Sequence, residues 1–498
     1  MSKSNTYKDY LELNPSDSHG LVDDKTSRDL GLDRVFNHID LTRSLPGRSI
    51  LYSWMRMQCL KQDNFRERQR LIETWEGFKK VDPVRKILKT CGFQDRGSIA
   101  KEIWNPIAVL GIGARYALYS WFLLSVFAYI SPFLFGGQFL LYAVIPTAIV
   151  NTMIHFKWHH RIAPHYGSIC YLAKVLRCSR KLIGKLPEDL RNENNELVTL
   201  CARTGKLGRN TLLFLNPSRI TLDLLNSILE YLRVFLLAEL MSFVTLYRQI
   251  TAHKSDLKNI FRIVGEIDAS LSIAEFTSQE QGICFPNIDE GLNKIEFTNM
   301  IHPLIENCVG NSATFTRGII LTGSNMAGKS TFLRILGVNQ VLASSINFAF
   351  AEKMDTSFFR VASSIQTVDD LVQNQSHYYA EAKRLHTLWL RIKSENEKWL
   401  ILIDEVLSGT NSTDRNKAVV SILADSIETS SLIVVTTHEL DIARNLESVY
   451  DNYHFSESFQ KKQLFFDYLL MKGIVDRSNA LRILRHVGFP EHLILEDT

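Results

Sequence analysis

The longest uncharged stretch of the chain lies in its first third. Between Arg115 and Lys157 there is no Lys, Arg, Asp or Glu, and the run is broken once, by the turn-forming residues of 131–137. Each half approaches the roughly 20 residues that a helix needs to cross a hydrocarbon core of about 30 Å. Aromatic residues lie near the ends of the stretch, where Trp and Tyr are common at membrane–water interfaces. Basic residues lie on its outer flanks, which is typical of segments that stay in the cytosol. These are Trp104, Tyr116, Trp121, Tyr142 and Trp158, with Lys101, Arg115, Lys157 and Arg161.

This pattern predicts a hairpin of two transmembrane helices at 104–158, in the inner (cytoplasmic) membrane, with both long flanks in the cytosol. The alternative is a hairpin buried inside a soluble helical core. A second apolar stretch, Val234 to Leu246, contains Glu239. It is too short and too polar for a span, so we expect a helix that packs on other helices.

Three short runs in the second half are mostly apolar and are strand candidates, and the five apolar residues of 399–403 suit a strand that is buried on both faces of a parallel sheet. They are 319–321, 399–403 and 431–437, and polar residues follow each of them. A helical pattern runs from Phe332 to Leu342. Ligands of open α/β sheets bind at the carboxyl ends of the strands, so we expect the chemistry after these runs.

The residues after the first run complete the phosphate-binding pattern G-x-x-x-x-G-K-[ST]. They are Gly323, Ser324, Asn325, Met326, Ala327, Gly328, Lys329, Ser330 and Thr331, called the phosphate loop below. The glycines let the backbone N–H groups face one point, Lys329 reaches the β- and γ-phosphates, and the Ser330 hydroxyl coordinates Mg²⁺. The N-terminus of the following helix adds positive potential. ATP and Mg²⁺ are therefore the expected ligands.

The other two runs supply the remaining polar groups. Asp404, at the end of 399–403, is expected to hold Mg²⁺, and Glu405 to orient and deprotonate the attacking water. His438 follows 431–437, where it could bond to the γ-phosphate or to the water and so sense the nucleotide. Without the phosphate loop, Asp404 and Glu405 would indicate only an acidic loop after a strand, and His438 only a surface histidine.

Together these stretches resemble the ATPase domain of the MutS family of DNA mismatch-repair proteins, from about Glu296 to Pro490. Matching residues are Thr322, the phosphate loop, Asp404, Glu405, Gly409, Thr410, Asp414, Thr437, His438, Lys472, Gly473, Ser478 and 488–490. Ser324 and Ala327 depart from the proline and glycine that are common in that family. The resemblance implies a homodimeric ATPase, with DNA as a possible partner.

Residues 364–378 are similar to the signature region of that family, which completes the site of the partner subunit. The resemblance implies that Ser376 touches the γ-phosphate in trans, while a simple helix cap is the alternative. Asn374 and Gln375 replace a more usual glycine–basic pair, which bears on the coupling between subunits.

Phe36–Trp54 and Asp268–Phe276 resemble the opening and the end of the helical core of the same family; an unrelated helical domain is the alternative. In the opening, a turn with glycine is expected to lead into a helix. Fewer than forty residues precede it, so we expect no mismatch-recognition domain. Phe65 and Glu67 lie in a charged helical stretch and are expected to cover a helix surface rather than to read bases.

The predicted division is an N-terminal segment of the helical core at 1–103, a transmembrane hairpin at 104–158, a helical lever at 159–285 and an ATPase domain at 286–498. The expected fold is an α/β P-loop domain of the ABC type with a parallel-rich sheet, preceded by a mostly α-helical region. The chain has 498 residues, of which 45% are hydrophobic and 22% charged, enough for two or three domains. Its net charge of +4 argues neither for nor against nucleic acid.

The sequence thus predicts a membrane-anchored MutS-like ATPase that acts as a dimer, with binding of mismatched or branched DNA in repair. The alternative is an ATP-driven mechanical or signalling protein at the membrane that does not bind DNA. An ABC transporter subunit fits less well, because residues 373–377 do not form a Leu-Ser-Gly-Gly-Gln type signature and two spans make a thin permease.

Overall fold

The computed structural model of the chain describes residues 5–14, 20–94, 97–106, 111–205, 207, 231, 233–324, 327–365, 377–393, 397–407, 412–426, 430–460 and 463–474. The chain forms two compact units, and each unit is assembled from three segments. The helical unit comprises Met1–Pro15, Thr42–Ser53 and Leu71–Ser272, and the sheet unit comprises Ser16–Leu41, Trp54–Arg70 and Ile273–Thr498. Each unit therefore combines segments that are far apart in the sequence.

The first 280 residues are helical wherever a regular element is described, apart from isolated bridges. The α-helices are α1 Asp9–Leu13, α2 Asp24–Asp29, α3 Leu32–Ile39, α4 Leu45–Arg56, α5 Gln62–Glu73, α6 Val81–Cys91, α7 Ile99–Trp104, α8 Ile112–Phe135, α9 Ile145–Ile162, α10 Tyr166–Leu182, α11 Arg191–Arg203, α12 Ala238–Ala252 and α13 Lys254–Gln279. Helix α12 is the helix expected at Val234–Leu246. It starts later than the apolar run because Leu237, before its first residue, adopts a left-handed conformation with φ 51°.

Helices α8 and α9 lie in the region where a transmembrane hairpin is expected and form a helical hairpin, joined by Gly136–Phe139 and a π-helical turn at Leu140–Val144. Among the described residues, two helical stretches are long and apolar enough by length and composition to cross a membrane, Ile112–Phe135 and Leu140–Leu182. At 1.5 Å per residue, the 24 residues of α8 extend about 36 Å. Most large apolar side chains of the hairpin are exposed, including Phe133 at 90%. The hairpin is therefore not buried inside a helical core.

The inner face of the hairpin is small and polar. Ser125, Ala128, Ser131 and Asn151 are buried between its helices. The Trp121 indole donates a hydrogen bond of 2.7 Å to the Asn151 side chain, and the Asn151 amide donates to Ser125 Oγ at 3.1 Å and to the Phe235 carbonyl at 2.5 Å. This reverses the usual pattern of a soluble protein, in which apolar groups lie inside and polar groups face water.

The glycine of the predicted core opening is explained by a buried carboxylate. Helix α4 begins at Leu45, so Gly47 lies in its first turn rather than in a preceding turn. Asp268 of α13 accepts hydrogen bonds from the Ser44 hydroxyl at 2.6 Å and the Ser44 N–H at 2.8 Å. A Cβ on residue 47 would come within 2.1 Å of Asp268 Oδ2. A glycine is therefore required for the carboxylate to reach the start of α4.

The sheet unit contains ten strands and four helices among its described C-terminal residues. The strands are β1 Asn287–Ile288, β2 Ile295–Met300, β3 Asn311–Phe315, β4 Ile319–Thr322, β5 Lys353–Thr356, β6 Arg360–Ser364, β7 Trp399–Ile403, β8 Leu432–Thr436, β9 Asp451–Gln460 and β10 Gln463–Lys472. The helices are α14 Lys329–Ile346, α15 His377–Ile392, α16 Ser412–Asp425 and α17 Leu440–Asn445.

The ten strands form two sheets. The larger has the order β10-β9-β4-β8-β7-β6, with all neighbours parallel except β9 and β10. Every residue of β7 and β8 is buried, as expected for central strands that are covered on both faces. The parallel-rich sheet agrees with the expected α/β architecture. A second, mixed sheet of the order β1-β5-β2-β3 was not anticipated from the sequence.

Helix α2 explains why an N-terminal segment belongs to the sheet unit. Its buried Asp29 accepts hydrogen bonds from Ser363 Oγ at 2.7 Å and the Ile365 N–H at 2.9 Å, at the end of β6. Asp23, before α2, forms ion pairs with Arg384 and Arg391 of α15. Burial raises the pKa of Asp23, but the Thr26 N–H and the two arginines outweigh this effect and lower it to about 2. Helix α2 is thus bonded to β6 and to α15, the elements on either side of residues 366–376.

Candidate nucleotide-binding site

The three expected strand ends lie side by side in the larger sheet. Strand β8 pairs with β4 on one side and with β7 on the other, so Leu321 is opposite Thr436 and Ile403 is opposite Val435. Beyond the strands, the Thr437 N–H donates to the Leu321 carbonyl at 3.0 Å. The phosphate loop, Asp404 and His438 therefore leave the same edge of the sheet, where open α/β folds bind their ligands.

Two glycines give the phosphate loop its shape. Gly323 has φ 133° and Gly328 has φ 100°, values that side chains rarely permit. A Cβ on residue 323 would lie 2.8 Å from the Phe455 carbonyl oxygen, and a Cβ on residue 328 would lie 3.0 Å from the Tyr468 ring. Helix α14 begins at Lys329, immediately after Gly328, three residues before the start expected from the sequence. The loop thus leads directly into a helix N-terminus.

The Lys329 ammonium lies inside the curve of the phosphate loop. The residue is buried, at 3% exposure, and its Nζ donates hydrogen bonds to the Gly323 carbonyl at 2.6 Å and the Ser324 carbonyl at 2.9 Å. Ala327 is buried, while Ser330 and Thr331 are half-buried in the first turn of α14. Asn325 and Met326 lie outside the described residues. A buried ammonium ion at a helix N-terminus provides the positive potential that phosphates require.

A threonine hydroxyl links the two acidic residues. Thr436, the last residue of β8, donates a hydrogen bond of 2.5 Å to Asp404 Oδ1, and its oxygen accepts the Glu405 N–H at 3.1 Å. The Asp404 N–H is bonded to the Ser364 carbonyl at 2.9 Å, so its backbone is fixed as well. Thr436 belongs to a run that the sequence predicts only as a strand, with no role in the site. Its position at the end of the strand between β4 and β7 is the signal that could have revealed it.

Glu405 and His438 face each other across the site. His438 Nδ1 lies 3.5 Å from Glu405 Oε1, and both side chains are partly accessible. Glu405 has a left-handed backbone with φ 50°, which is uncommon for a residue with a side chain and is found preferentially at functional sites. The structure therefore brings together a carboxylate and an imidazole that solvent and ligand can reach.

Several expected site residues lie outside the described part of the chain. They are Ser376, Gly409, Thr410, Ser478 and residues 488–490. Tyr468, in contrast, was not expected at the site. It has φ 54° at the irregular pairing between β9 and β10, and its carbonyl accepts a hydrogen bond of 3.0 Å from the Asn311 amide. The Tyr468 ring covers the phosphate loop at Gly328.

The donor set fits a nucleoside triphosphate with a divalent cation. Ser330 and Asp404 offer the oxygen ligands that Mg²⁺ prefers, and Lys329 with the start of α14 offers positive charge to phosphate oxygens. When bound, the cation would neutralise charge that develops on the phosphates. Fold and site together define a P-loop-type nucleotide-binding domain.

Comparison with known proteins agrees with this class. Residues 319–498 match the family model of MutS domain V, which is a P-loop-type ATPase domain. The match starts at β4 and includes the phosphate loop, Asp404, Glu405 and His438. The C-terminal part of the chain is thus similar to this domain of the MutS family.

Curated relatives match over about half of the chain. The DNA mismatch repair protein MutS of Methanococcoides burtonii is 28% identical over 264 residues, 50% of this chain and 29% of the relative. The DNA mismatch repair protein MSH3 of Vanderwaltozyma polyspora is 28% identical over 256 residues, 48% of this chain and 24% of the relative. Endonuclease MutS2 of Streptococcus sanguinis is 27% identical over 248 residues, 49% of this chain and 31% of the relative. The chain thus covers less than a third of the length of each.

Replacement of Thr436 tests whether it positions the two acids. Thr436→Val keeps the shape of the side chain but removes the hydroxyl that bonds to Asp404 and Glu405. A hydrogen bond to a charged group contributes roughly 1.5–3 kcal/mol, so we expect kcat for ATP hydrolysis to fall about 10- to 100-fold. We expect KM for ATP to change little, because Thr436 bonds to the acids rather than to the phosphate loop.

Thr436→Ser is the matched control, since it retains the hydroxyl, and should hydrolyse ATP close to the wild-type rate. Unchanged kcat in Thr436→Val, measured in a steady-state phosphate-release assay, would show that the hydroxyl does not position the acids.

Proposed function

We propose that this protein is a MutS-like ATPase that binds and hydrolyses ATP as a dimer and is anchored to a membrane through its hairpin. The observation that carries the ATPase proposal is the convergence of Lys329, Asp404 and Glu405 at one edge of a parallel sheet. The match to MutS domain V over these residues supports it.

Each residue has a distinct role in the proposed reaction. Lys329 and the backbone N–H groups of the phosphate loop bind phosphate oxygens, and Ser330 and Asp404 hold Mg²⁺. Glu405 orients the attacking water and accepts its proton. His438, 3.5 Å from Glu405, is placed to bond to the same water or to the γ-phosphate. The site thereby distinguishes ATP from ADP.

Dimerisation rests on the family resemblance. Ser376 is assigned to the γ-phosphate of the partner subunit, and it directly precedes α15. Helix α15 is held by the ion pairs of Arg384 and Arg391 with Asp23. Through these ion pairs, any change in the position of α15 would also act on the segment around α2.

Membrane attachment is supported by the surface of the hairpin. Its large apolar side chains face outward along both helices, and its polar groups bond to one another inside. An apolar surface of this extent in water would be an aggregation hazard, whereas lipid covers it without cost. The basic flanks at Lys101, Arg115, Lys157 and Arg161 favour a cytosolic location for both ends, and hence for the ATPase domain.

Two proposals for the output of the ATPase differ in whether DNA is bound. The names of the relatives favour action on mismatched or branched DNA. The exposed hairpin favours an ATP-driven mechanical or signalling role at the membrane. The position of Phe65 argues against a role in reading bases. Its side chain is buried, at 4% exposure, and its ring packs edge-on against the ring of Phe358, with 5.6 Å between the two ring centroids. This also corrects the expectation that it covers a helix surface.

ATP turnover in the presence of different DNAs tests these proposals. The purified protein in detergent should hydrolyse ATP, and mismatched or branched duplex should stimulate turnover above perfect duplex if DNA is the substrate. Binding should then weaken steeply with salt, because phosphate contacts release counterions. Equal turnover with and without all three DNAs would favour the mechanical role. Absence of any ATP hydrolysis would contradict the ATPase proposal itself.

A further inference from the structure

A stripe of polar side chains runs along one face of helix α9. Asn151, His155 and His159 are spaced by four residues, so they lie one above the other on the helix. They face the segment that leads into α12: Asn151 bonds to the Phe235 carbonyl, and both histidines contact Glu239, four residues further along. Polar residues in such a helix are costly and usually have a function.

The contacts to Glu239 bring three potential metal ligands together. His155 Nδ1 lies 3.2 Å from Glu239 Oε2, and His159 Nδ1 lies 3.1 Å from Glu239 Oε1. One ligand atom from each residue can be chosen so that all three lie within 4.8 Å of one another. Metal–ligand bonds of about 2.0–2.2 Å in a tetrahedral site place neighbouring ligand atoms about 3.3 Å apart. The two nitrogen–oxygen pairs already have this separation.

The burial of the three side chains fits a site that is fixed on one side and open on the other. Glu239 is 2% exposed and His155 is 12% exposed, whereas His159 is 42% exposed. A buried carboxylate requires a compensating positive or hydrogen-bonding partner. The accessible edge of His159 leaves a path for an ion and a position for a water molecule as a fourth ligand.

We propose that His155, His159 and Glu239 bind a divalent transition-metal ion of the zinc type. Two imidazoles and one carboxylate form a ligand set that zinc sites with an open coordination position use, and imidazole ligands favour zinc over Mg²⁺. The site joins α9 to α12 at the end of the hairpin that carries Lys157 and Arg161. Bound metal therefore fixes the hairpin to the rest of the helical unit, independently of the ATPase site.

Metal titration of the full-length protein tests this proposal. The protein is purified in detergent, stripped with a chelator and titrated with Co²⁺, whose visible absorption reports imidazole coordination, followed by competition with Zn²⁺. Excess Mg²⁺ is present and nucleotide is absent, so that the phosphate-loop site does not contribute. We expect one Zn²⁺ per chain.

Single replacements identify the ligands. Loss of even an outer partner of a metal ligand lowers affinity about 10- to 100-fold, so His155→Ala, His159→Ala and Glu239→Gln should each weaken Zn²⁺ binding at least about tenfold. His160→Ala is the matched control, because His160 is an exposed histidine on the same helix and outside the cluster. Its affinity should equal that of the wild type. Lys329→Ala should also bind Zn²⁺ normally, which separates this proposal from the ATPase proposal.

A stability measurement guards against variants that fail to fold. A ligand that binds only the folded state raises Tm by an amount that grows with the ratio of its concentration to Kd, so Zn²⁺ should raise Tm of the wild type and of His160→Ala. It should not raise Tm of a protein with both His155→Ala and His159→Ala. Failure of the wild type to bind Zn²⁺ would overturn the proposal. Unchanged affinity in folded His155→Ala and His159→Ala would do so too, since the ion would then be held elsewhere, for instance by cysteine thiols.

Discussion

Lys329→Ala protein is expected to lose most of its affinity for ATP and nearly all of its turnover. The Lys329 ammonium is buried within the phosphate loop, with its hydrogen bonds directed at the Gly323 and Ser324 carbonyls. Those bonds are available for exchange with phosphate oxygens, and a charge-assisted bond contributes about 1.5–3 kcal/mol, or roughly 10- to 100-fold in affinity. The loss in turnover should be larger, about 10²- to 10³-fold, because charge grows on the phosphates in the transition state.

Two further variants separate loss of the ammonium from loss of packing. Lys329→Met keeps most of the aliphatic stem that is buried at the start of α14, so it should fold as the wild type does and show the same loss of ATP affinity as Lys329→Ala. Lys353→Ala removes an exposed lysine of the same unit, paired with Asp355, and should leave ATP binding intact. Calorimetry with a slowly hydrolysed ATP analogue measures the affinities. Normal affinity and turnover in both Lys329 variants would remove the nucleotide site from this loop.

Glu405→Gln protein is expected to bind ATP normally and to stall before hydrolysis. The substitution keeps the size of the side chain but removes the group that accepts a proton from water. General-base catalysis contributes about 10²- to 10⁴-fold, so we expect kcat to fall by at least about 10²-fold. The N–H of residue 405 still bonds to Thr436, and Asp404 keeps its own bond to the Thr436 hydroxyl. ATP affinity should therefore change by less than a few-fold.

Glu447→Gln is the control, because Glu447 is an exposed glutamate of the same unit. It should hydrolyse ATP at the wild-type rate. Single-turnover measurements distinguish a slow chemical step from slow product release. Unimpaired hydrolysis by Glu405→Gln would exclude Glu405 as the base and turn attention to its neighbour His438.

The elements around the phosphate loop follow from local sequence. Uninterrupted apolar residues at 399–403 and 432–435 are buried on both faces, and this alone indicates central parallel strands. Glycines at 323 and 328 are needed wherever the backbone has positive φ, so the loop can be recognised without knowledge of its neighbours. Local rules decide these features because each depends on a few consecutive residues.

The hydrogen bonds through which Thr436 links Asp404 and Glu405 could not be predicted from local sequence. Thr436 and Asp404 are 32 residues apart, and only the order β4-β8-β7 places the hydroxyl of one strand against the carboxylate of the next. Tyr468 reaches Gly328 through an irregularity between β9 and β10, which depends on strand register. Asp23 and Asp29 belong to the sheet unit through partners more than 300 residues away.

The hairpin shows both kinds of information in one element. Its length and lack of charge are local properties, so the two helices could be predicted from residue types alone. Which side chains face outward, and that Asn151, His155 and His159 meet the segment at Phe235–Glu239, depends on packing between helices that are distant in sequence. The apolar runs and the glycines of the sequence therefore determined the central strands, the phosphate loop and the hairpin. Long-range packing decided that Thr436 and Tyr468 lie at the nucleotide site and that His155, His159 and Glu239 form a cluster. The reason is that each of these side chains contacts a residue of another helix or strand, and no pattern of consecutive residues predicts such a contact.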